Sequence, residues 1–199
     1  MGPNVALADT DFQRKLAFGQ IAETAIARWI MLARGAQVLP IYDIEYETGK
    51  GPRIFAASGS LVAPDLLIFS RGKLHWIEAK HKSVFTWYRK KQRWETGVDL
   101  RHYHQYLKVR KTFDLPVWLL FLHRVSVPSS IDRKYPDCPE ACPVGLFGND
   151  LDFLQSRSRE DARWARGMVY WGIEDLKQLA TLNEVLAFDN RPAATEAGG

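Results

Sequence analysis

Asp65, Glu78 and Lys80 are the residues whose types and spacing best suit chemistry. They lie in two runs, Ala63-Pro64-Asp65-Leu66-Leu67-Ile68-Phe69 and Trp76-Ile77-Glu78-Ala79-Lys80, rich in branched and aromatic side chains and joined through Ser70-Arg71-Gly72-Lys73. A glycine in so short a connection is what a tight hairpin turn requires. With Arg71 and Gly72 as the two loop residues, Asp65 stands directly opposite Glu78. Facing side chains of an antiparallel pair have Cβ atoms roughly 4.5–5.5 Å apart, and like charges at that separation repel. A shared cation is the simplest neutraliser, and hard divalent ions take oxygen ligands. Lys80, two residues past Glu78, returns to the same face of its strand.

The neighbours of these acids argue against a simple solvent-exposed hairpin, the plainer alternative. Leu66, Ile68, Ile77 and Ala79 point one way, while Leu67, Phe69, Leu74 and Trp76 flank the acids on the other. Both faces are therefore apolar, the pattern of strands covered on two sides. Charges within such strands are seldom there for solubility.

Other elements must bring further groups to this spot. A first helix is predicted from Thr10, which with Gln13 makes a capping-box pattern, to about Leu32. Its apolar stripe of Phe12, Leu16, Gly19, Ile26 and Ile30 includes an acid, Glu23. Gly19, one turn earlier, suggests a close approach to the helix. Gly35 closes the helix, and Val38 to Tyr46 reads as a strand with Pro40 near its start. Residues 48–52 read as a loop, and Ile54 to Val62 supports no assignment. Glu45 and Glu47 alternate on the strand, a pattern that more often faces solvent than binds metal.

After Lys80 the chain becomes basic. Residues 81–111 hold nine Lys or Arg against Glu95 and Asp99, a net +7 that leaves −3 for the remainder of a chain whose total is +4. Lys82, Arg89, Lys90, Lys91, Arg93 and Arg101 are interleaved with Phe85, Trp87, Tyr88 and Trp94. Cations that seek phosphate beside surfaces that stack on bases are the ingredients of a nucleic-acid channel; a solvated helix with inward aromatics is the bland reading. Asp99 caps a helix to about Phe113, with His102, Tyr106, Val109 and Phe113 on one stripe. Pro116 to His123 is a compact apolar strand.

Beyond that strand the signals weaken. Val127 to Asn149 is dense in Pro and Gly and reads as an irregular excursion. Leu151 to Arg166 is expected to be a charged surface helix, Met168 to Trp171 a short strand, and Ile173 to Leu182 a closing helix. The expected organisation is a tail at 1–10, a core at 11–126, the excursion at 127–150, a helix-strand-helix addition packed on the core at 151–190, and a disordered tail at 191–199.

Composition bounds the rest. With 199 residues and 46% hydrophobic content, the chain is long enough for one soluble domain with decorations. It has no run of about 18 apolar residues, so no membrane span is expected. Asp9 and Asp11 without an apolar signal core point to an intracellular, cytoplasmic setting. Cys138 and Cys142 do not make a disulfide framework; as zinc ligands they would need His123 or His104, and the spacing is unusual. No phosphate-binding loop of the P-loop type is present.

The order helix, strand, hairpin, helix, strand, together with Gly19-x-x-x-Glu23, Pro64-Asp65, Glu78-Ala79-Lys80 and His102-x-x-x-Tyr106, resembles the PD-(D/E)xK nuclease superfamily over about residues 11–123. The pattern is most similar to the branch of Holliday-junction resolvases and RecB-type nuclease domains, with His102 in place of a glutamine. The resemblance implies an α/β restriction-endonuclease-like fold, a central mixed β-sheet flanked by helices in α-β-β-β-α-β order, with C-terminal additions. It implies Mg²⁺ or Mn²⁺ on Asp65, Glu78 and the carbonyl of Ala79, with Glu23 completing the acidic cluster through water or at a second metal. Lys80 would orient water or counter charge on phosphorus, since a lysine beside two anions is a poor base. His102 and Tyr106 would touch phosphate or brace the site, or form an ordinary buried pair.

The partner implied is DNA, with RNA left open and branched, junction or end-containing DNA in repair or recombination as the setting. A homodimer is compatible with the resemblance. A catalytically inactive nucleic-acid-binding domain of the same fold is the alternative from another class. A metal-free acid-pair glycosidase is a weaker one, because it leaves the basic stretch unexplained.

Overall fold

The computed structural model describes residues 21–41, 52–56, 59–162 and 167–188. The expected features at Thr10, Phe12, Gln13, Leu16, Gly19, Glu45 and Glu47, and the tails at 1–10 and 191–199, lie outside the described residues. Helix α1 covers 21–34 and gives way to Gly35, whose φ of +63° is the left-handed conformation that ends helices and that glycine adopts without penalty.

Three strands follow in the main sheet. β1 (Gln37–Pro40) pairs with β4 (Leu66–Ser70), and β4 turns back into the ten-residue β5 (Lys73–Lys82). The turn between them is a two-residue loop in which Arg71 and Gly72 both have positive φ, +51° and +75°. That is the mirror-image turn whose twist matches the strands. It sets the register Leu66 opposite Ile77 and Ser70 opposite Lys73, as the sequence predicts. Between β1 and β4, the unassigned segment forms a separate hairpin, β2 (Arg53–Ala56) with β3 (Gly59–Val62).

The first part of the basic stretch is not a helix. It folds as a third hairpin, β6 (Thr86–Tyr88) and β7 (Arg93–Asp99), and the remainder belongs to α2 (Leu100–Phe113), which starts at Asp99, whose carboxylate accepts the Arg101 N–H at 2.8 Å. The chain then enters β8 (Val117–His123), parallel to β5. Along the chain the elements in and on the main sheet so far are α1, β1, β4, β5, α2 and β8. The sheet is mixed, with order β1-β4-β5-β8-β9-β12, and helices lie on both faces.

Residues after 127 depart most from expectation. Part of the expected excursion, Gly145–Asp150, is strand β9 beside β8. Its glycines are needed for close approach, since a Cβ on Gly148 would sit 2.4 Å from the Leu119 carbonyl. The helix expected at 151–166 is only α3 (Leu151–Gln155); Arg159–Asp161 is instead β10, paired with β11 (Met168–Gly172). The closing helix expected at 173–182 is a single 3₁₀ turn at Ile173–Asp175, then β12 (Lys177–Ala180) on the edge of the main sheet, then α4 (Leu182–Leu186). In each case the segment pairs its backbone with a neighbouring strand, β11 or β9, instead of within a helix. β10, β11, β7 and β6 form a second, four-stranded sheet.

Two cores result, one on each face of the main sheet. On one, Ala22, Ala25, Ile26, Trp29 and Ile30 of α1 pack with Val185 of α4 on Leu66, Ile77, Ala79, Leu120 and Leu122. On the other, Tyr103, Tyr106 and Val109 of α2 and the second sheet's Trp87, Trp94, Val98, Val169 and Trp171 cover Trp76, Leu119 and Phe121. The period of two along β5 and β8 sorts their residues between these cores. Of the expected α2 stripe, Tyr106 and Val109 are buried and Phe113 packs against the core, but His102 is exposed and Tyr103, packed edge-on at 5.7 Å from Trp171, is buried in its stead. No helix among the described residues is long and apolar enough to cross a membrane.

Candidate active site

Asp65 immediately precedes β4, so the Leu66–Ile77 register places it beside Glu78. It is held from two directions. Its Oδ2 accepts the Ala79 N–H at 2.8 Å, and its backbone carbonyl accepts the Ile41 N–H at 2.8 Å. Glu78, only 3% exposed, points to the α2 side of the sheet. There Tyr106 donates its hydroxyl to Glu78 Oε1 at 2.5 Å, and the Lys80 ammonium forms an ion pair with the same oxygen. Lys80 keeps 27% of its side chain accessible, so the pair opens toward solvent.

The electrostatics are those of a crowded anionic cluster. Burial first, then the Glu78 carboxylate, with Glu23 adding, hold Asp65 well above the usual carboxylate range; Lys80 and the Ala79 N–H oppose this without cancelling it. Burial alone would lower Lys80, but Glu78, Tyr106 and Asp65 outweigh it and hold the ammonium well above its ordinary value. Tyr106 is likewise raised, by burial and then by Glu78. Lys82, one strand period beyond Lys80, is lowered to about 8 by burial and by the Lys80 charge. Lys80 is therefore a fixed cation between Glu78 and Asp65, and Glu23 from α1 bears on Asp65.

The donor set suits a hard cation. Two carboxylates and a backbone carbonyl are oxygen ligands of the kind Mg²⁺ or Mn²⁺ takes while keeping several waters. Among the described residues no three His, Cys, Asp or Glu side chains form a metal-binding group, which also leaves Cys138, Cys142, His104 and His123 unassembled as a zinc site. His123 is buried and stacks on Phe85 at 3.6 Å, and Cys142 Sγ donates to the Val125 carbonyl at 3.1 Å.

The residues expected to meet nucleic acid separate into two groups. Arg89, Lys90 and Lys91 are exposed in the β6–β7 turn, Arg89 also lying over the Tyr135 ring at 4.2 Å. Arg101 and His102 are exposed at the start of α2. Trp87, by contrast, is buried edge-on against Trp94 at 5.0 Å, and so packs in the core instead of offering a stacking face. Tyr88 is covered by Arg159 at 4.3 Å. Arg93 is tied to Glu95 at 2.8 Å and to Glu174. Tyr106 faces Glu78, not solvent.

One charged group was not foreseen from the sequence. Glu95, 1% exposed, sits between Arg93 and Arg159, which bonds its Oε2 at 2.5 Å. The alternation Arg93-x-Glu95 was a visible signal of two side chains on one strand face, but Arg159 comes from 64 residues away.

No family model matches the chain, and no curated protein matches it. Among solved structures it is similar to D212, a nuclease from a fusselovirus, at a TM-score of 0.34 and 14% identity, covering 94% of each chain. A likeness at that level carries no argument about chemistry.

Proposed function

We propose that the chain is a Mg²⁺- or Mn²⁺-dependent nuclease of the PD-(D/E)xK type that hydrolyses phosphodiester bonds in DNA, with RNA left open as a substrate. The observation that carries this reading is the convergence of Asp65 and Glu78 on one spot beside a lysine held cationic. Carboxylates so placed repel each other and lose hydration, an arrangement that a divalent cation relieves. Asp65, Glu78 and the Ala79 carbonyl would hold the cation, with Glu23 contributing to the anionic field. When bound, such an ion supplies Lewis-acid polarisation of phosphate and makes water more acidic.

The chain's own residues supply the remainder. Lys80 carries its positive charge throughout and offsets charge that develops on the phosphate oxygens. Tyr106 fixes the rotamer of Glu78 through Oε1, leaving Oε2 as the oxygen for ligation. Arg101 and His102, exposed one turn before Tyr106, and Lys82, next to Lys80, would meet the substrate backbone near the site, while Arg89, Lys90 and Lys91 add exposed cations at the far end of β7. Cleavage of duplex, junction and single-stranded DNA in Mg²⁺, Mn²⁺ and EDTA tests the proposal, with Asp65→Ala and Lys80→Ala as controls. Metal-dependent cutting by the wild type, lost in both variants, supports it; DNA binding without cutting in either metal overturns it. That second outcome would favour an idle nucleic-acid-binding domain, a reading supported by the satisfaction of Glu78 Oε1 by Tyr106 and Lys80 already present.

A further inference from the structure

On the sheet face opposite Glu78, a cavity of about 350 Å³ lies between α1, the β4–β5 hairpin, β8 and β12. Its volume is that of a small-molecule pocket. Two indoles, Trp29 and Trp118, line it, with Ile77 and Leu120 among the residues behind them. Its rim is cationic. Arg34 lies over the Trp29 ring at 5.0 Å, Lys177 over the Trp118 ring at 5.6 Å, and Arg71 enters from the hairpin turn. Among the described residues, no acidic one lines the cavity. Glu184, which feels the charge of Arg34, is engaged by the Thr181 N–H and hydroxyl at 2.7 and 2.8 Å.

His75 also lines the cavity.

We infer that this cavity binds a nucleotide, its base against Trp118 and its phosphate at the rim by Arg34 and Arg71. Flat aromatic surface with cations above it suits a base, and planar guanidiniums suit a phosphate. The same chemistry fits a free nucleotide and the terminal residue of a strand. Neither requires the carboxylate cluster, so this inference stands or falls apart from the nuclease reading.

Calorimetric titration of the full chain with AMP and CMP tests it, beside adenosine, inorganic phosphate and a short oligonucleotide. The expected result is saturable one-site binding of a mononucleotide, with adenosine and phosphate each about tenfold weaker or worse, and with Arg34→Gln and Arg71→Gln, both at exposed positions, each costing about tenfold. Equal affinity for the oligonucleotide identifies a strand terminus as ligand, and its exclusion identifies a free nucleotide; either supports the inference. Absence of saturation, phosphate binding as tightly as nucleotide, or unchanged affinity in both arginine variants overturns it. So does loss of binding in Asp65→Asn, which would put the ligand at the carboxylates.

Discussion

The hydroxyl of Tyr106 lies 2.5 Å from Oε1 of Glu78, joining α2 to β5 through a bond between a buried phenol and a buried carboxylate. One turn earlier, His102 faces solvent. Tyr106 is therefore placed to fix the orientation of Glu78, and His102 to meet what approaches from outside.

Tyr106→Phe keeps the ring packing and deletes this bond. Removing a hydrogen bond to a charged group is expected to cost about 1.5–3 kcal/mol in denaturant unfolding. Under the nuclease reading, metal-dependent cleavage falls by about tenfold or more while DNA binding holds, because a carboxylate free to rotate positions its oxygens less well. Cleavage equal to wild type would show that Glu78 needs no brace.

Burial and then the Glu78 carboxylate both oppose ionisation of Asp65. Asp65→Asn preserves the acceptor for the Ala79 N–H and removes the repulsion. In EDTA its melting midpoint is expected to rise, by about 2–4 °C for each kcal/mol gained in a chain of this size. Adding Mg²⁺ should raise the midpoint of the wild type and leave the variant unmoved, since a ligand stabilises only the form that binds it. A lower midpoint in EDTA would mean that Asp65 is not under electrostatic strain.

Buried against Phe85, His123 has its pKa lowered from 6.5 to about 3, by burial and then by the charges of Lys82 and His81. Between those values the unfolded chain takes up a proton that the folded chain refuses. The contribution of His123 to stability is thus intact above pH 6.5, falls as pH drops through the window, and levels off near pH 3, with an upper bound of roughly 4–5 kcal/mol. His123→Leu should flatten the pH dependence of unfolding across that window. An unchanged slope would show that His123 becomes protonated without unfolding.

In the second sheet, Glu95 is buried between Arg93 and Arg159, and Arg159 is itself stacked between Tyr88 and Tyr170 at 4.3 and 4.6 Å. Glu95→Gln removes the buried counter-charge that two guanidiniums share, leaving them Glu174 and Asp161, and is expected to destabilise by roughly 3 kcal/mol. Combining it with Arg159→Met should recover part of that loss. Additive effects in a double-mutant cycle would mean that the two side chains are not coupled.

What the sequence determined by itself was local. The Arg71–Gly72 turn, the period of two along β4 and β5, the Asp99 cap and the Gly35 stop each depend on a few adjacent residues, and each appears where the residues call for it. From these alone Asp65 and Glu78 fall opposite each other. Only the tertiary structure decided that Leu151 to Arg166 would break after Gln155 to give β10 an edge on β11, and that Lys177–Ala180 would extend the main sheet beside β9. It also decided that Trp87 and Arg93 would be occupied by Trp94 and Glu95, and that Tyr103 would displace His102 from the inner face of α2. The reason is physical: backbone groups at a sheet edge and charges inside a core must find partners, and several of these, Arg159 on Glu95, Trp171 on Tyr103 and β12 on β9, come from tens of residues away, where no local pattern records them.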